Sequence, residues 1–234
     1  MSEKGLTIHG LVSGYGDTDI LQGVTLALRR GEILALMGRN GMGKTTLLKT
    51  LMGLIRARGG MVALDRRQIA GHPPSWLLAQ GIGYAPQELP LFQELSIRDN
   101  LRLALRHDRD MPRALEHVSQ TFPFLLERLG QKAGTLSGGE QKMLILSRAM
   151  MTEPDLLLID EISEGVQPSV VQRIAAALRT ERDRRGVSIL LVEQNLGFAL
   201  EVADRWAMMK LGRIVDEGPC DTASRETVLN HLSI

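Results

Sequence analysis

Between the uninterrupted apolar run Ile33 to Met37 and a stretch that places Leu47, Leu48, Leu51 and Met52 at helical spacing lies Gly38-Arg39-Asn40-Gly41-Met42-Gly43-Lys44-Thr45. Gly, four residues, Gly, Lys and a hydroxyl residue make the phosphate-loop pattern, in the strand, loop, helix context that the pattern requires. The glycines let backbone N–H groups close on an anion, and the helix that follows points its positive end at the same place. Lys44 adds a charge near the β and γ phosphates, Thr45 is suited to hold magnesium through its hydroxyl, and Thr46 completes the segment. Such a loop works only where a buried strand hands the chain to a helix, which restricts the fold to an α/β type.

Leu156-Leu157-Leu158-Ile159-Asp160-Glu161 ends a wholly apolar run in two carboxylates. That is where open α/β sheets put their ligands. Asp160 suits the orientation of magnesium and its waters, because a hard cation prefers oxygen ligands, and Glu161 suits polarisation of a water that attacks a γ-phosphate. Alone, the pair reads equally well as a strand ending in a solvated acidic turn; the upstream phosphate loop shifts the balance. Met61 to Leu64, Ile82 to Ala85 and Ser188 to Val192 are further short apolar runs, separated by helical patterns such as Val170 to Arg185. The alternation predicts a mostly parallel sheet covered on both faces.

Leu136-Ser137-Gly138-Gly139-Glu140-Gln141 precedes a helical pattern through Met143, Leu144, Leu146, Ala149 and Met150. Ser137 with Glu140 is a capping box, which needs no ligand. It leaves Gly138 and Gly139 unexplained, each costing about 1 kcal/mol of helix propensity against Ala. A close backbone approach is expected there, and an anionic phosphate at the helix tip would account for glycines, amides and hydroxyl together.

The opening segment predicts antiparallel strands, Leu6 to Val12 and Ile20 to Leu28, around a turn Gly14-Tyr15-Gly16-Asp17. A last hairpin, Trp206 to Lys210 and Arg213 to Asp216, turns at Leu211-Gly212. From Glu88 to Thr135 the strand-like runs give way to amphipathic spacing (Ile97, Leu101, Ala104, Leu105), with Ser96 as N-cap and Asp99 behind it. Pro112 in a first turn and Pro123 as a breaker predict two or three helices. Three regions follow: 1–87, an antiparallel β region with the first part of the nucleotide core; 88–135, a helical subdomain; and 136–234, the Ser137 helix with the rest of the core.

With 28 basic against 27 acidic residues, aromatics at 3% and no long run of one sign, a nucleic-acid partner is not expected. The longest uncharged stretch, Gln68 to Gln87, is too polar to span a bilayer, and the opening residues hold no apolar run of a signal peptide, so the chain is expected to stay where ATP is. Its one cysteine, Cys220, excludes an intrachain disulfide and agrees with a reducing compartment.

The phosphate loop, LSGGEQ and LLLIDE, in this order and spacing across essentially the whole chain, resemble the ATPase subunits of ABC transporters. The resemblance implies a RecA-like phosphate-loop core and ATP and Mg²⁺ as cofactors. It also implies that the signature Ser137, Gly138, Gly139, Glu140, Gln141 serves nucleotide bound by an opposite subunit. Tyr15 resembles the aromatic that stacks on adenine. Gln87, in Tyr84-Ala85-Pro86-Gln87, resembles the Q-loop glutamine, and Gln194 occupies the switch position; with Glu161 these form the expected catalytic set, and Thr45, Gln87 and Asp160 the expected metal set. The expected partners are a second ATPase subunit, more readily a different one than a copy, transmembrane permeases, and indirectly a solute-binding protein. The address implied is cytoplasmic, peripheral on the inner face of the cell membrane.

Three positions depart from the family pattern. Gln194 replaces the usual histidine, and an amide can donate to phosphate but carries no proton. Gln167 replaces the aspartate usual in the D-loop, and Ile162 the proline after the catalytic glutamate. Glu193-Gln194-Asn195 resembles the second ATPase of branched-chain amino acid importers, and Glu164-Gly165-Val166-Gln167-Pro168 the urea and short-chain amide members. Urea or a short amide is the expected cargo, a branched-chain amino acid the alternative. A soluble ABC ATPase of DNA repair or translation is the rival, disfavoured by the lack of a coiled-coil insert or a tandem cassette.

Overall fold

The computed structural model describes residues 5–87, 91–221 and 224–232. In chain order the elements are β1 (Gly5–Tyr15), β2 (Thr18–Arg29), β3 (Ile33–Met37), α1 (Lys44–Leu51), β4 (Ala57–Leu64), β5 (Arg67–Gln68), α2 (Pro74–Ala79) and β6 (Ile82–Ala85). Then come α3 (Ile97–Arg102), α4 (Met111–Thr121), α5 (Phe124–Glu127), α6 (Gly138–Met150), β7 (Leu156–Asp160) and α7 (Pro168–Arg185). The chain closes with β8 (Ser188–Val192), α8 (Leu196–Val202), β9 (Arg205–Lys210), β10 (Arg213–Pro219) and α9 (Ser224–Leu232).

Two sheets organise these elements among the described residues: β2-β1-β4-β5, and β10-β9-β3-β8-β7-β6. In the larger one every pairing is parallel except β9 with β10. The uninterrupted apolar runs explain why. β3, β7 and β8 are buried at every position, and alternate residues serve opposite cores because strand side chains alternate faces. Ile33, Ala35, Leu157, Ile159, Ile189 and Leu191 pack with the helices from α3 onward. Leu34, Leu36, Leu156, Leu158, Leu190 and Val192 pack with α1 and the smaller sheet.

The expected parallel sheet is present, with one correction. Met61 to Leu64 is part of β4, which pairs antiparallel with β1 (Leu6↔Leu64, Ile8↔Val62) in the other sheet. Only Val62 and Leu64 of that run are buried; four residues are too few to separate a one-faced strand from a fully buried one. The first turn is also shorter than expected: β1 runs through Tyr15, leaving Gly16-Asp17 between the strands. The Leu211-Gly212 hairpin forms as expected. β5, α2, α8 and α9 have no counterpart among the sequence patterns.

Residues 88–90, the start of the expected helical segment, lie outside the described residues. Beyond them, Ser96 caps α3 by accepting from the N–H of Asp99 at 3.1 Å, Pro112 sits in the first turn of α4, and α5 begins immediately after Pro123. Ile97, Leu101, Val118, Phe122 and Leu125 bury into the same core as β3 and β7. Among the described residues the helical segment therefore rests on the sheet and shares its core.

Candidate functional site

β3 delivers the chain at Met37 to a loop whose glycines 38, 41 and 43 have φ of 151°, 78° and 103°, values that side chains rarely adopt. A Cβ at Gly38 would stand 2.4 Å from the carbonyl oxygen of Met209. Lys44 opens α1 and folds back along the loop, its Nζ donating to the carbonyl oxygens of Gly38 at 2.7 Å and Arg39 at 3.1 Å. It lies 3.6 Å from Oε1 of Glu161. Burial lowers the Lys44 pKa from the ordinary ammonium value, against the opposing pull of Glu161.

Asp160, at the end of β7, is fully buried. Its Oδ1 accepts from the Thr45 hydroxyl at 3.3 Å, whereas Oδ2 is buried with no hydrogen-bond partner. Burial is the main reason its pKa rises to about 6. A buried carboxylate with one unpartnered oxygen is costly unless a cation meets it. Together with the Thr45 hydroxyl and the side-chain oxygen of Gln87 it offers hard oxygen donors of the kind Mg²⁺ takes. Among the described residues no group of three His, Cys, Asp or Glu side chains could hold a metal, so an ion here would draw ligands from phosphates as well, which is the habit of Mg²⁺.

The next residue, Glu161, has φ 47°, a left-handed conformation that costs energy for a residue with a side chain and persists where the surroundings enforce it. Its N–H is held by the carbonyl of Val192 at 2.9 Å. Both carboxylate oxygens are occupied: Oε1 accepts from Gln194 Nε2 at 2.6 Å, and Oε2 from Gln87 Nε2 at 2.9 Å. The Gln87 amide also donates to Glu164 at 2.8 Å.

Tyr15, Asn40 to Thr46, Gln87 and Glu161 line one cleft of about 400 Å³, with Ile20, which sequence reasoning had not singled out. Tyr15 is half exposed at its edge. Arg39 does not line this cleft; its contribution to the loop is the carbonyl that receives Lys44. Glu161 also borders a second cavity of about 440 Å³, walled by residues 163–166 and 193–195. Two clefts thus meet at one carboxylate.

Ser137 and Gly138 are exposed at the tip of α6, outside the cleft that holds the phosphate loop. The capping box is formed: Glu140 N–H donates to Ser137 Oγ at 3.3 Å, and Glu140 Oε2 accepts from the Ser137 N–H at 2.9 Å and hydroxyl at 2.8 Å. Gln141 Nε2 returns to the carbonyl of Leu136 at 3.1 Å. The two glycines have different reasons. A Cβ at Gly139 would meet Val170 at 3.1 Å, so packing within the chain accounts for it; a Cβ at Gly138 would meet nothing.

A family model described as ABC transporter matches residues 21–164, spanning the phosphate loop, the Ser137 tip and both carboxylates. The chain belongs to the ABC transporter family. The high-affinity branched-chain amino acid transport ATP-binding protein BraG of Pseudomonas aeruginosa is 39% identical over 86% of this chain and 87% of its own length. The probable branched-chain amino acid transport ATP-binding protein LivF of Archaeoglobus fulgidus is 34% identical over 89% of each. A solved nucleotide-free ATP-binding cassette from an ABC transporter superposes with TM-score 0.88 at 25% identity, over 99% of this chain and 96% of that one. This ABC protein is accordingly an ATPase whose ATP hydrolysis is coupled to transport.

The three departures from the ABC pattern take up distinct places. Gln194 joins the carboxylate cluster. Ile162 is fully buried in the core. Gln167 stands at the start of α7 and makes no side-chain cap. Sequence reasoning gave no structural role to two residues that hold the site together. Glu193, whose pKa burial raises, accepts from the N–H and hydroxyl of Ser163 at 3.0 and 2.9 Å, tying the loop after β7 to that after β8. Lys142 reaches back from α6 to the carbonyls of Gln87 and Glu161. Neither has a local sequence signal, because each acts on a segment remote in the chain.

Proposed function

We propose that this chain works as one half of an ATPase pair in an ABC importer, with ATP held between its phosphate loop and the signature of the opposite subunit. The observation that carries the reading is the exposure of Ser137 and Gly138 outside their own chain's cleft. Half of a phosphate-binding set thus faces outward, where a second subunit's nucleotide can meet it. Tyr15 stacks on adenine, residues 40–46 cradle the phosphates, and Ser137 with the amides of Gly138 and Gly139 grips a γ-phosphate in trans. Glu161 accepts a proton from the attacking water, Gln194 holds its carboxylate in register, and Gln87 occupies the other carboxylate oxygen until nucleotide arrives. Thr45, Asp160 and Gln87 would hold Mg²⁺, which when bound neutralises charge on the phosphates. Glu161→Gln should slow single-turnover ATP cleavage by about 100-fold or more in the assembled transporter; unchanged cleavage removes Glu161 from this role.

Closure of the pair is passed to a membrane permease by the helical segment 88–135 and the Gln87 loop. An apolar cavity of about 540 Å³ lined by Leu54, Leu78, Tyr84, Pro86, Leu103 and Ile145 lies beside that loop and fits a permease helix. Among the described residues no helix is long and apolar enough to cross a membrane; attachment to the inner face of the cell membrane comes through the permease.

For cargo, a branched-chain amino acid has the support of the two relatives' names. Urea or a short amide rests on residues 164–168 alone. Uptake of labelled leucine and labelled urea by vesicles carrying the complete transporter separates the two. A mixed pair of ATPases, fed by a solute-binding protein, belongs to the same proposal, and copurification with a second, different ATPase tests it.

A further inference from the structure

Lys142 lies on α6, five residues beyond Ser137, which is about 7 Å along the axis at the usual rise. Its ammonium donates to the carbonyl oxygen of Gln87 at 3.3 Å and to that of Glu161 at 3.4 Å. The Gln87 side chain closes the figure by donating to Glu161 Oε2 at 2.9 Å. Three catalytic segments, namely the helix that carries the signature, the loop after β6 and the strained turn after β7, therefore meet at one side chain. Among the described residues the side chain of Gln141, the preceding residue, bonds to Leu136 within its own turn, whereas that of Lys142 reaches the other two segments.

From this closed triangle we infer that Lys142 is a positioning residue that couples nucleotide at a chain's own phosphate loop to the signature the same chain presents to its partner. The inference rests on the ATP reading above. When Gln87 turns its amide from Glu161 toward a γ-phosphate, its loop shifts, and the bond from Lys142 to the Gln87 carbonyl draws on α6. A helix transmits such a displacement along its axis because its own hydrogen bonds keep it stiff, so the response emerges at Ser137 and Gly138. Lysine suits this role because three rotatable donors on a long stem serve two carbonyls on separate segments. An uncharged side chain of similar length, such as methionine, would fill the space and break both bonds.

Hydrogen–deuterium exchange of the full chain, with and without Mg²⁺ and a non-hydrolysable ATP analogue, tests this without a partner subunit. In the unaltered chain nucleotide should change exchange both at residues 38–46 and at residues 137–142. In Lys142→Met the first response should persist and the second should be lost or nearly so. Lys142→Arg, which keeps a charged donor, should restore much of it; a role in packing alone would not distinguish the two variants in this way. An undiminished response at 137–142 in Lys142→Met overturns the inference, as does its absence from an unaltered chain that is protected at 38–46. Absence of protection at 38–46 in the unaltered chain would instead overturn the nucleotide reading, and the inference with it.

Discussion

The side-chain amide of Gln194 donates to Oε1 of Glu161 at 2.6 Å, from the position where the family usually carries a histidine. The amide orients the carboxylate but cannot exchange a proton with it. Gln194→Ala should lower kcat by about 10-fold to 100-fold, as loss of one aligned catalytic hydrogen bond does, with ATP affinity changed far less. Steady-state kinetics of the assembled transporter, set beside nucleotide binding to the isolated chain, would check the split; equal losses in both would make Gln194 a binding residue.

The ionised form of Asp160 that the proposed Mg²⁺ site needs is the form that folding disfavours. Its pKa rises from 3.8 to about 6 on folding, chiefly through burial, so the folded chain holds the proton more tightly than the unfolded one. The resulting penalty is absent below the unfolded value, grows as pH rises toward the folded value, and is constant above it; two units correspond to about 3 kcal/mol. Asp160→Asn should therefore raise the thermal midpoint at pH 8 in chelator and leave it nearly unchanged at acid pH. The same variant should lose the stabilisation that Mg²⁺ adds to ATP. In the unaltered chain, Mg²⁺ dependence should weaken as pH falls through about 6, where the proton displaces the ion.

The two signature glycines should separate structure from chemistry. Gly138→Ala meets open space and improves helix propensity, so stability should hold or rise, while cleavage of ATP on the opposite subunit falls. Gly139→Ala places a Cβ 3.1 Å from Val170, where overpacking offsets the propensity gain, so it should be less stable than Gly138→Ala by about 1 kcal/mol. Thermal melts of both variants, with turnover in mixed pairs, decide; equal destabilisation would contradict the assignment.

His117 on α4 and Glu181 on α7 form a buried pair, Nε2 to Oε1 at 2.8 Å, with Arg185 at 3.6 Å from the other carboxylate oxygen. Loss of His117 leaves a buried oxygen of Glu181 without its hydrogen-bond partner. His117→Leu should destabilise the chain by about 2 kcal/mol, less if Arg185 swings in, and should loosen the helical segment on the core. Chemical denaturation measures the first effect, and local hydrogen exchange at residues 111–127 the second.

What the sequence determined by itself was whatever is written in contiguous residues. An uninterrupted apolar run means burial on both faces, so β3, β7 and β8 were legible to within a residue. The phosphate loop carries its own glycines and its own helix, and Ser137 with Glu140 closes a capping box in a single turn. Met61 to Leu64 was assigned to the wrong sheet because four residues do not reveal whether one face or two is covered. The site was legible residue by residue but not as an arrangement. That Gln87, Gln194 and Lys44 converge on Glu161, that Asp160 keeps one oxygen unpartnered, and that Lys142 reaches the Gln87 loop are consequences of which strands lie side by side. Strand order is set by packing among segments far apart in the chain, whose pairwise choices have no local signature, and only the tertiary structure decides it.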